Sequence, residues 1–477
     1  MRKKIGILLV LCLVIGAVIF LLTNHKEPEV VSPEVQIEEQ AVELQTEEPV
    51  SEILPEEKET QIQIAEKETE SPKEEKETEV QTEEQEKETQ KEEKRGQLTQ
   101  TEGITIPVIG DIKMFEIPDN DAMAFMKDMK CGWNLGNTFD AHNGYSSYSA
   151  GISMETSWVG AKTTPELIAA IHEAGFNTIR IPVSWHNHVD ENYIIDSEWL
   201  DRVREVAGWA LDLGMYVIVN THHDNDVKYY YPDTVHYDQS AAYLSAIWTQ
   251  MAEKFKDCDD HLILESMNEP RLVGTQYEWN WNSSVSECRL SAKYINQLNQ
   301  LFVDIVRGSG GNNATRYLAV PAYCAAPWNA ADQAFQLPND IADNRIIVSA
   351  HAYTPYNFAL NTGSKDNTFD LKLDTGKKGE IASFMNSLYN RFVKYGVPVM
   401  MDEFGALDKN GNLQARVNFT AYYVASASAR GITCVWWDNH NFTGGGERFG
   451  LIERRTLKWV CPDIALAIQA NCLYNRK

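Results

Sequence analysis

Eight apolar, strand-like runs alternate with stretches of helical character between residues 132 and 470, and this rhythm constrains the fold more than any other feature of the chain. The runs cover residues 132–137, 178–185, 215–223, 262–270, 317–323, 345–353, 398–406 and 432–439. Helical stretches lie near residues 165–174, 197–213, 241–255, 291–306, 381–395, 417–429 and 462–470, with a weaker patch near 330–335. Strict alternation of this kind calls for parallel strands joined by crossover helices. An open doubly wound sheet usually stops at about five or six strands, so eight predict a closed (β/α)8 barrel. Such a barrel gathers its chemistry at the carboxyl ends of its strands, so polar residues there carry functional weight.

Composition divides the chain in three. Of all its Phe, Tyr and Trp residues only Phe20 precedes Phe115. Residues 26–102 hold 26 Glu against 9 Lys and Arg, with no Asp and no aromatic residue, and Glu-Lys-Glu-Thr recurs from Glu57, Glu66, Glu75 and Glu86. So little apolar surface cannot offset chain entropy, and like charges keep such a segment extended. Residues 26–103 are therefore expected to form a disordered Glu/Lys/Thr-rich linker that acts as a spacer. Ahead of it, the basic flank Met1-Arg2-Lys3-Lys4 leads into an apolar run over residues 5–22. At about 1.5 Å per residue that run reaches roughly the thickness of a bilayer core. No small-x-small cleavage site follows it, so residues 1–25 are expected to act as an uncleaved signal anchor in preference to a cleaved signal peptide. The remainder is then extracellular, anchored at the cell surface or secreted. Residues 104–477 have globular composition and are ample for one large domain, expected to be a monomer. The net charge of −26 lacks the clustered Lys and Arg of a phosphate-binding surface, which excludes nucleic acid as a partner.

The strand ends, taken in order, present Trp133-Asn134-Leu135-Gly136-Asn137, Arg180, His222-His223-Asp224, Asn268-Glu269-Pro270, His351-Ala352-Tyr353, Glu403 and Trp436-Trp437-Asp438-Asn439. Glu269 and Glu403 close the fourth and seventh runs, which face each other across a barrel mouth. Two carboxylates facing one cavity are the minimum equipment for glycosidic cleavage, in which one protonates the leaving oxygen and the other meets the developing oxocarbenium ion.

With these motifs the sequence resembles glycoside hydrolase family 5, the retaining cellulase and endo-β-glucanase family, over roughly residues 121–474. The stretch 132–141 and Glu155-Thr156-Ser157-Trp158 look like the endoglucanase and xyloglucanase branch. Residues 176–185 and Met267-Asn268-Glu269-Pro270-Arg271 are the most specific matches. The resemblance implies that Glu269 is the general acid/base and that Glu403, in Asp402-Glu403-Phe404-Gly405, is the nucleophile. It implies that Asn268 binds the sugar 2-hydroxyl, that Tyr353 orients Glu403, and that Trp437 is the floor on which the sugar at the cleavage point stacks. Arg180 is expected to pair with Glu403 and keep it charged, whereas Glu269, facing that charge in a partly desolvated cleft, is expected to hold its proton to higher pH. Retention of configuration and a carboxyl separation of about 5 to 5.5 Å follow.

His222 and His351 are expected to hydrogen-bond around the nucleophile and substrate, and His223 to belong to the substrate site or to the core. A metal reading of His222-His223-Asp224 is outweighed because neighbouring strand residues point to opposite sides and no further ligand pattern accompanies them. No metal or other cofactor is implied. Asn137 is a substrate-site candidate. Trp158, Trp185, Trp279, Trp281 and Trp328 are balanced between sugar platform and packing, as is the run Tyr229-Tyr230-Tyr231. Asp402 rivals Glu403 as nucleophile, but strand alternation is expected to turn it away and make it an inter-strand partner. Glu265, four residues deeper than Glu269, is expected to be a structural partner inside the barrel, and His440 to alter one sugar site. Seven cysteines fall in the globular part, with Cys461 and Cys472 a candidate bridge.

The expected activity is endo-acting, retaining hydrolysis of β-1,4-glucosidic bonds in cellulose or related β-glucans. Xyloglucan, β-mannan, xylan and mixed-linkage glucan remain alternatives within the same chemistry, and a non-catalytic surface carbohydrate-binding protein is the rival from another class.

Overall fold

In the computed structural model, residues 96–145 and 151–472 are described. The apolar run over residues 5–22 and most of the acidic stretch lie outside these residues, and no helix among those described is long and apolar enough to cross a membrane.

Each of the eight runs coincides with a strand, the first beginning one residue earlier than expected: β1 Cys131–Leu135, β2 Thr178–Ile181, β3 Tyr216–Asn220, β4 Leu262–Glu265, β5 Leu318–Pro321, β6 Ile346–His351, β7 Val399–Phe404 and β8 Thr433–Asp438. Every one of these strand residues is buried, as expected where both faces of a parallel sheet are covered. All neighbours pair in parallel, and β1 closes the barrel on β8 through the register Cys131↔Cys434 to Leu135↔Asp438. The hydrogen-bonded strands stop short of the runs' carboxyl ends. Glu265 is the last residue of β4, and Glu269 lies beyond it on the following loop.

Helix α1 Asp121–Met129 precedes β1, its first turn capped by the Asn120 side chain accepting from the Met123 amide. The crossovers carry α2 Pro165–Glu173, α3 Ser197–Asp212, α4 Tyr237–Lys254 and α5 Ser286–Gly308. Thr164 caps α2 with Pro165 in its first turn, and Asp196 caps α3. On α5 the buried residues Cys288, Ser291, Ala292, Ile295, Leu298, Phe302 and Val306 recur every three or four positions, forming the stripe that meets the barrel.

The weak patch near 330–335 is where the fifth crossover loses its helix. Only one turn forms, α6 Pro327–Ala330, before irregular chain leads into β6. That chain is held by side chains from its neighbours: Arg391 donates to the carbonyls of Asp332 and Phe335, and Asn296 donates to the Ala334 carbonyl at 2.8 Å. Backbone groups denied a helical partner are satisfied in this way. A second one-turn helix, α7 Tyr356–Ala359, follows β6, and α8 Thr375–Arg391, α9 Leu413–Ser428 and α10 Pro462–Asn471 complete the shell. A two-stranded ribbon, β9 Ile452–Glu453 with β10 Lys458–Trp459, lies between β8 and α10.

The segment ahead of α1 is stitched to the barrel from Gly96 onward. Trp459 Nε1 donates to the Gly96 carbonyl at 2.7 Å, the Thr101 amide to Asp463 at 2.9 Å, and Asn471 Nδ2 to the Pro107 carbonyl at 2.8 Å. No disulfide joins Cys461 to Cys472, and the Cys461 sulfur lies 3.5 Å from the Arg416 guanidinium.

Candidate active site

Arg180, the third residue of β2, is fully buried and organises the barrel mouth. Its Nε and Nη2 make a two-pronged contact with Glu265 at 2.7 and 2.9 Å, whereas Glu403 Oε1 receives a single bond from Nη1 at 2.8 Å. Arg180 thus pairs with Glu403 as expected, but its fork is filled by Glu265, the structural partner within the barrel. The remaining donors reach Asn134 Oδ1 at 3.0 Å and Asn268 Oδ1 at 2.8 Å. Burial opposes the charge on Arg180, but Glu265, Glu403 and Asp402 outweigh it and raise the pKa well above the ordinary value.

Because a guanidinium can only donate, the contact to Asn268 settles that side chain's orientation. Its oxygen faces Arg180 and its amide NH2 is left toward the cleft, as a donor for a sugar hydroxyl. A similar chain sets His222. The Val183 amide donates to Asn220 Oδ1 at 3.1 Å, so Asn220 Nδ2 faces His222 Nδ1 at 3.2 Å and the imidazole proton resides on Nε2. Burial first, then His223, Arg180 and His351, push the His222 pKa well down and keep the ring neutral. His222 stacks nearly parallel to Trp437, 5.7 Å apart at 2°, and both rings line the cleft.

Glu403 lies in β7 and Asp402 directly precedes it. Alternation was expected to separate them, but the β6–β7 register shifts between Ala350 and His351, so that Ala350 faces Met401 and His351 faces Glu403. A bulge of this kind disrupts the alternation that would set neighbouring residues on opposite faces. Both carboxylates consequently approach Arg180 and His351. Asp402 remains an inter-strand partner: it accepts from Ser349 Oγ at 2.6 Å and from the Ala350 amide at 3.0 Å, and it is wholly buried. Burial first, then Glu265, lift its pKa to about 7 against the opposing pull of His351 and Arg180. Glu403 retains slight exposure, and its second oxygen accepts from the Tyr353 hydroxyl at 2.9 Å.

His351 lies in the cleft against both glutamates, as expected, and its hydrogen bond is to Glu269. Its Nδ1 lies 2.8 Å from Glu269 Oε1 and 3.7 Å from Glu403 Oε2, and its Nε2 lies 3.6 Å from Asp402. Burial would discharge the ring, but Glu403, Asp402 and Glu269 together raise its pKa to about 9. The same contact overturns the expected direction for Glu269. Desolvation pushes its pKa up, but the His351 hydrogen bond and charge, with Arg271, bring the balance below the ordinary carboxylate value. Oxygens of Glu269 and Glu403 lie within 4.8 Å of each other.

The two glutamates sit in a cleft of ≈ 880 Å³ lined also by His222, His223, Asn268, Tyr353 and Trp437. Trp328 and Trp279, 58% and 59% exposed, line one part of it, and Arg271 lies over the Trp279 ring at 4.1 Å. Trp158, 44% exposed, stands beyond His223 with ring centroids 6.0 Å apart. Trp185 is placed elsewhere: it is fully buried and donates to the Asn220 carbonyl, so it supports β3 and reaches no substrate. Trp281 packs on the core and donates to the Cys288 carbonyl. Asn137 is not among the residues lining the cleft; it takes a left-handed turn conformation, φ 59°, with its amide held by Asp140. Tyr229, Tyr230 and Tyr231 are buried, and His440 lies 3.4 Å from Glu453, away from the cleft lining.

The His222-His223-Asp224 triplet does not converge. Asp224 turns to His186 Nδ1 at 2.8 Å and to the amides of Trp185 and His186, whereas Asp140 is the carboxylate grouped with His222 and His223. Sequence reasoning missed Glu447, which lines the cleft from the loop after β8. Its one signal was an acidic residue directly after Gly444-Gly445-Gly446 in a loop at the chemical end of the barrel.

A protein-family comparison matches residues 142–443 to the cellulase (glycosyl hydrolase family 5) model. Endoglucanase A of Ruminococcus albus is 38% identical over 359 residues, covering 75% of this chain and 94% of that protein. Among solved structures, a family 5 lichenase from Caldicellulosiruptor sp. F32 is 51% identical with a TM-score of 0.75, covering 77% of this chain and 100% of that one. A GH5-4 broad-specificity endoglucanase from Ruminococcus champanellensis with bound cellotriose is 40% identical with a TM-score of 0.68, over 74% and 99% of the two chains. This chain belongs to glycosyl hydrolase family 5.

Proposed function

We propose that the protein is an endo-acting β-1,4-glucanase of broad specificity that cleaves β-glucan chains with retention of configuration. The observation that carries the retaining mechanism is that an oxygen of Glu269 lies within 4.8 Å of an oxygen of Glu403. An inverting pair stands about 6.5 to 9.5 Å apart to admit a water, and a retaining pair about 5 to 5.5 Å. In this reading Glu403 attacks the anomeric carbon while Glu269 gives its proton to the leaving oxygen, so the C–O bond breaks as the glycosyl ester forms. Water then adds from the same face: Glu269 takes its proton, the ester bond breaks, and Glu403 leaves as carboxylate. Arg180 and Tyr353 hold Glu403 in place, Asn268 offers its NH2 to the 2-hydroxyl, and Trp437 supports the sugar ring. Exposed indoles at Trp158, Trp279 and Trp328 extend the platform along a chain, which suits internal cleavage.

Likeness to a lichenase and to a broad-specificity endoglucanase with bound cellotriose supports glucan backbones, mixed-linkage glucan included. The test is a panel of cellulose, mixed-linkage glucan, xyloglucan, mannan and xylan, digested by the parent and by Glu269→Gln and Glu403→Gln, with the product anomer read by NMR. The parent is expected to act on several β-1,4-glucans and form the β anomer first, and each variant to lose activity by orders of magnitude. Hydrolysis by both variants at the parent rate, or an inverted product, overturns the assignment. For the chain as a whole we propose that residues 1–25 anchor it and that the acidic stretch from residue 26 up to residue 95 spaces the barrel from the membrane, residues 96–103 being held against the barrel; recovery of the full-length chain in the soluble fraction with those residues intact refutes the anchor.

A further inference from the structure

We infer that Glu447 is a substrate-binding residue that accepts hydrogen bonds from sugar hydroxyls at the rim of the catalytic cleft and so contributes to the choice of glycan. The inference rests on the glycoside hydrolase reading of the same cleft. Glu447 lines the cleft together with Tyr353, Leu360, Asn361 and Trp437. Its backbone is pinned, since Asn439 Nδ2 and Asn441 Nδ2 both donate to its carbonyl, at 3.0 and 2.6 Å. Its carboxylate has no hydrogen-bond or ion-pair partner among the described residues. The adjacent Arg448 gives its donors to the carbonyls of Asp408 and Gly444 and leaves the Glu447 charge uncompensated. Asn361 across the rim is engaged within its own loop by Asn357 and the Gly363 amide.

A third carboxylate in a cleft that already holds Glu403 and Glu269 brings no stabilisation to the fold, because partial desolvation at the exposed rim and those two neighbours raise its pKa. What it offers is two oxygens, about four lone-pair sites, turned toward a space where a sugar stacked on Trp437 presents a ring of equatorial hydroxyls. A carboxylate pairs with adjacent hydroxyls as a two-point acceptor, and hydrogen bonds to a charged group are worth roughly twice neutral ones. Gly446, at φ 95°, takes a conformation open to glycine and turns the chain so that Glu447 meets the cleft.

The experiment compares the parent with Glu447→Gln and Glu447→Ala on soluble mixed-linkage glucan, with melting temperature as the check on folding. Cellotetraose binding is measured by calorimetry in a Glu269→Gln background that blocks turnover. Loss of binding common to ground state and transition state raises KM and spares kcat. Glu447→Ala is expected to raise KM and weaken cellotetraose binding by about tenfold, with kcat within about threefold and the melting temperature unchanged; Glu447→Gln is expected to fall between it and the parent. Unchanged KM and unchanged cellotetraose affinity in Glu447→Ala overturn the inference, as does a fall in kcat with KM untouched. If the parent itself hydrolyses no β-glucan, the activity reading has failed; a Glu447→Ala loss of cellotetraose affinity then still supports the binding role, and its absence refutes it.

Discussion

His351 Nδ1 lies 2.8 Å from Glu269 Oε1, so imidazole and carboxyl share a hydrogen bond. The ring faces Glu269, Glu403 and Asp402, which together lift its pKa to about 9, while Glu269 is brought down. The groups titrate as a pair, so the proton that the leaving group needs is lost only when the pair as a whole deprotonates. The alkaline limb of the kcat/KM profile is therefore expected to follow the pair. In His351→Asn only Glu269 can store that proton, and the limb should move to lower pH by more than one unit. A profile whose alkaline limb stays in place would show that His351 does not hold the proton.

Two buried groups tie stability to pH in the same direction. His351 is raised from its ordinary 6.5 to about 9, so its stabilisation is complete below about 6.5 and is lost as pH rises through 9. Asp402 is raised from 3.8 to about 7, so the native state holds more protons than the unfolded one between those values and loses stability as pH rises through them. Thermal denaturation across pH 4 to 9 should show Asp402→Asn flattening the lower part of that decline and His351→Asn the upper part. Parallel curves for parent and variants would contradict both assignments.

Glu265→Gln tests the fork that positions the site. Arg180 and Glu265 are both wholly buried, and removing one charge leaves the other without its principal partner. Breaking a buried pair in this way costs about 3–5 kcal/mol. The variant should show a lower denaturant midpoint with an unchanged slope. It should also show reduced kcat, because Arg180 carries Asn268 and Glu403 as well. Parent-like stability would mean that Asn134 and the remaining carboxylates suffice to hold the guanidinium.

The barrel was legible because β1 to β8 are buried on both faces, which leaves unbroken apolar runs in the sequence. Glu269 and Glu403 were legible for a related reason: a carboxylate at the carboxyl end of such a run has no packing role to explain it. What escaped depended on departures from regular geometry. Alternation misplaced Asp402 because a bulge is a local shift in pairing that residue types do not reveal. Trp185 and Trp328 both follow strands, yet one is wholly buried and the other mostly exposed, a distinction decided by how the loops fold back. The direction of the Glu269 shift hinged on which carboxylate His351 touches, a matter of ångströms.

Gly136 and Trp437 yield the sharpest separation of activity from stability. A Cβ built on Gly136 would stand 2.9 Å from Trp437 Cζ2 and Cη2 and 2.9 Å from the Asp438 carbonyl oxygen. Real Cβ atoms do not come so close, so both the Asp438 backbone and the indole must give way, which disturbs the stack of Trp437 on His222. Trp437 is near the cleft surface, and its displacement has room to occur without opening a cavity in the barrel. Gly136→Ala should therefore lower kcat/KM for β-glucans by an order of magnitude or more while costing about 1–3 kcal/mol of stability. Trp437→Ala, which removes the proposed floor outright, should show at least as large a catalytic defect. If Gly136→Ala cleaves β-glucan like the parent, the indole floor does not hold the sugar at the cleavage point.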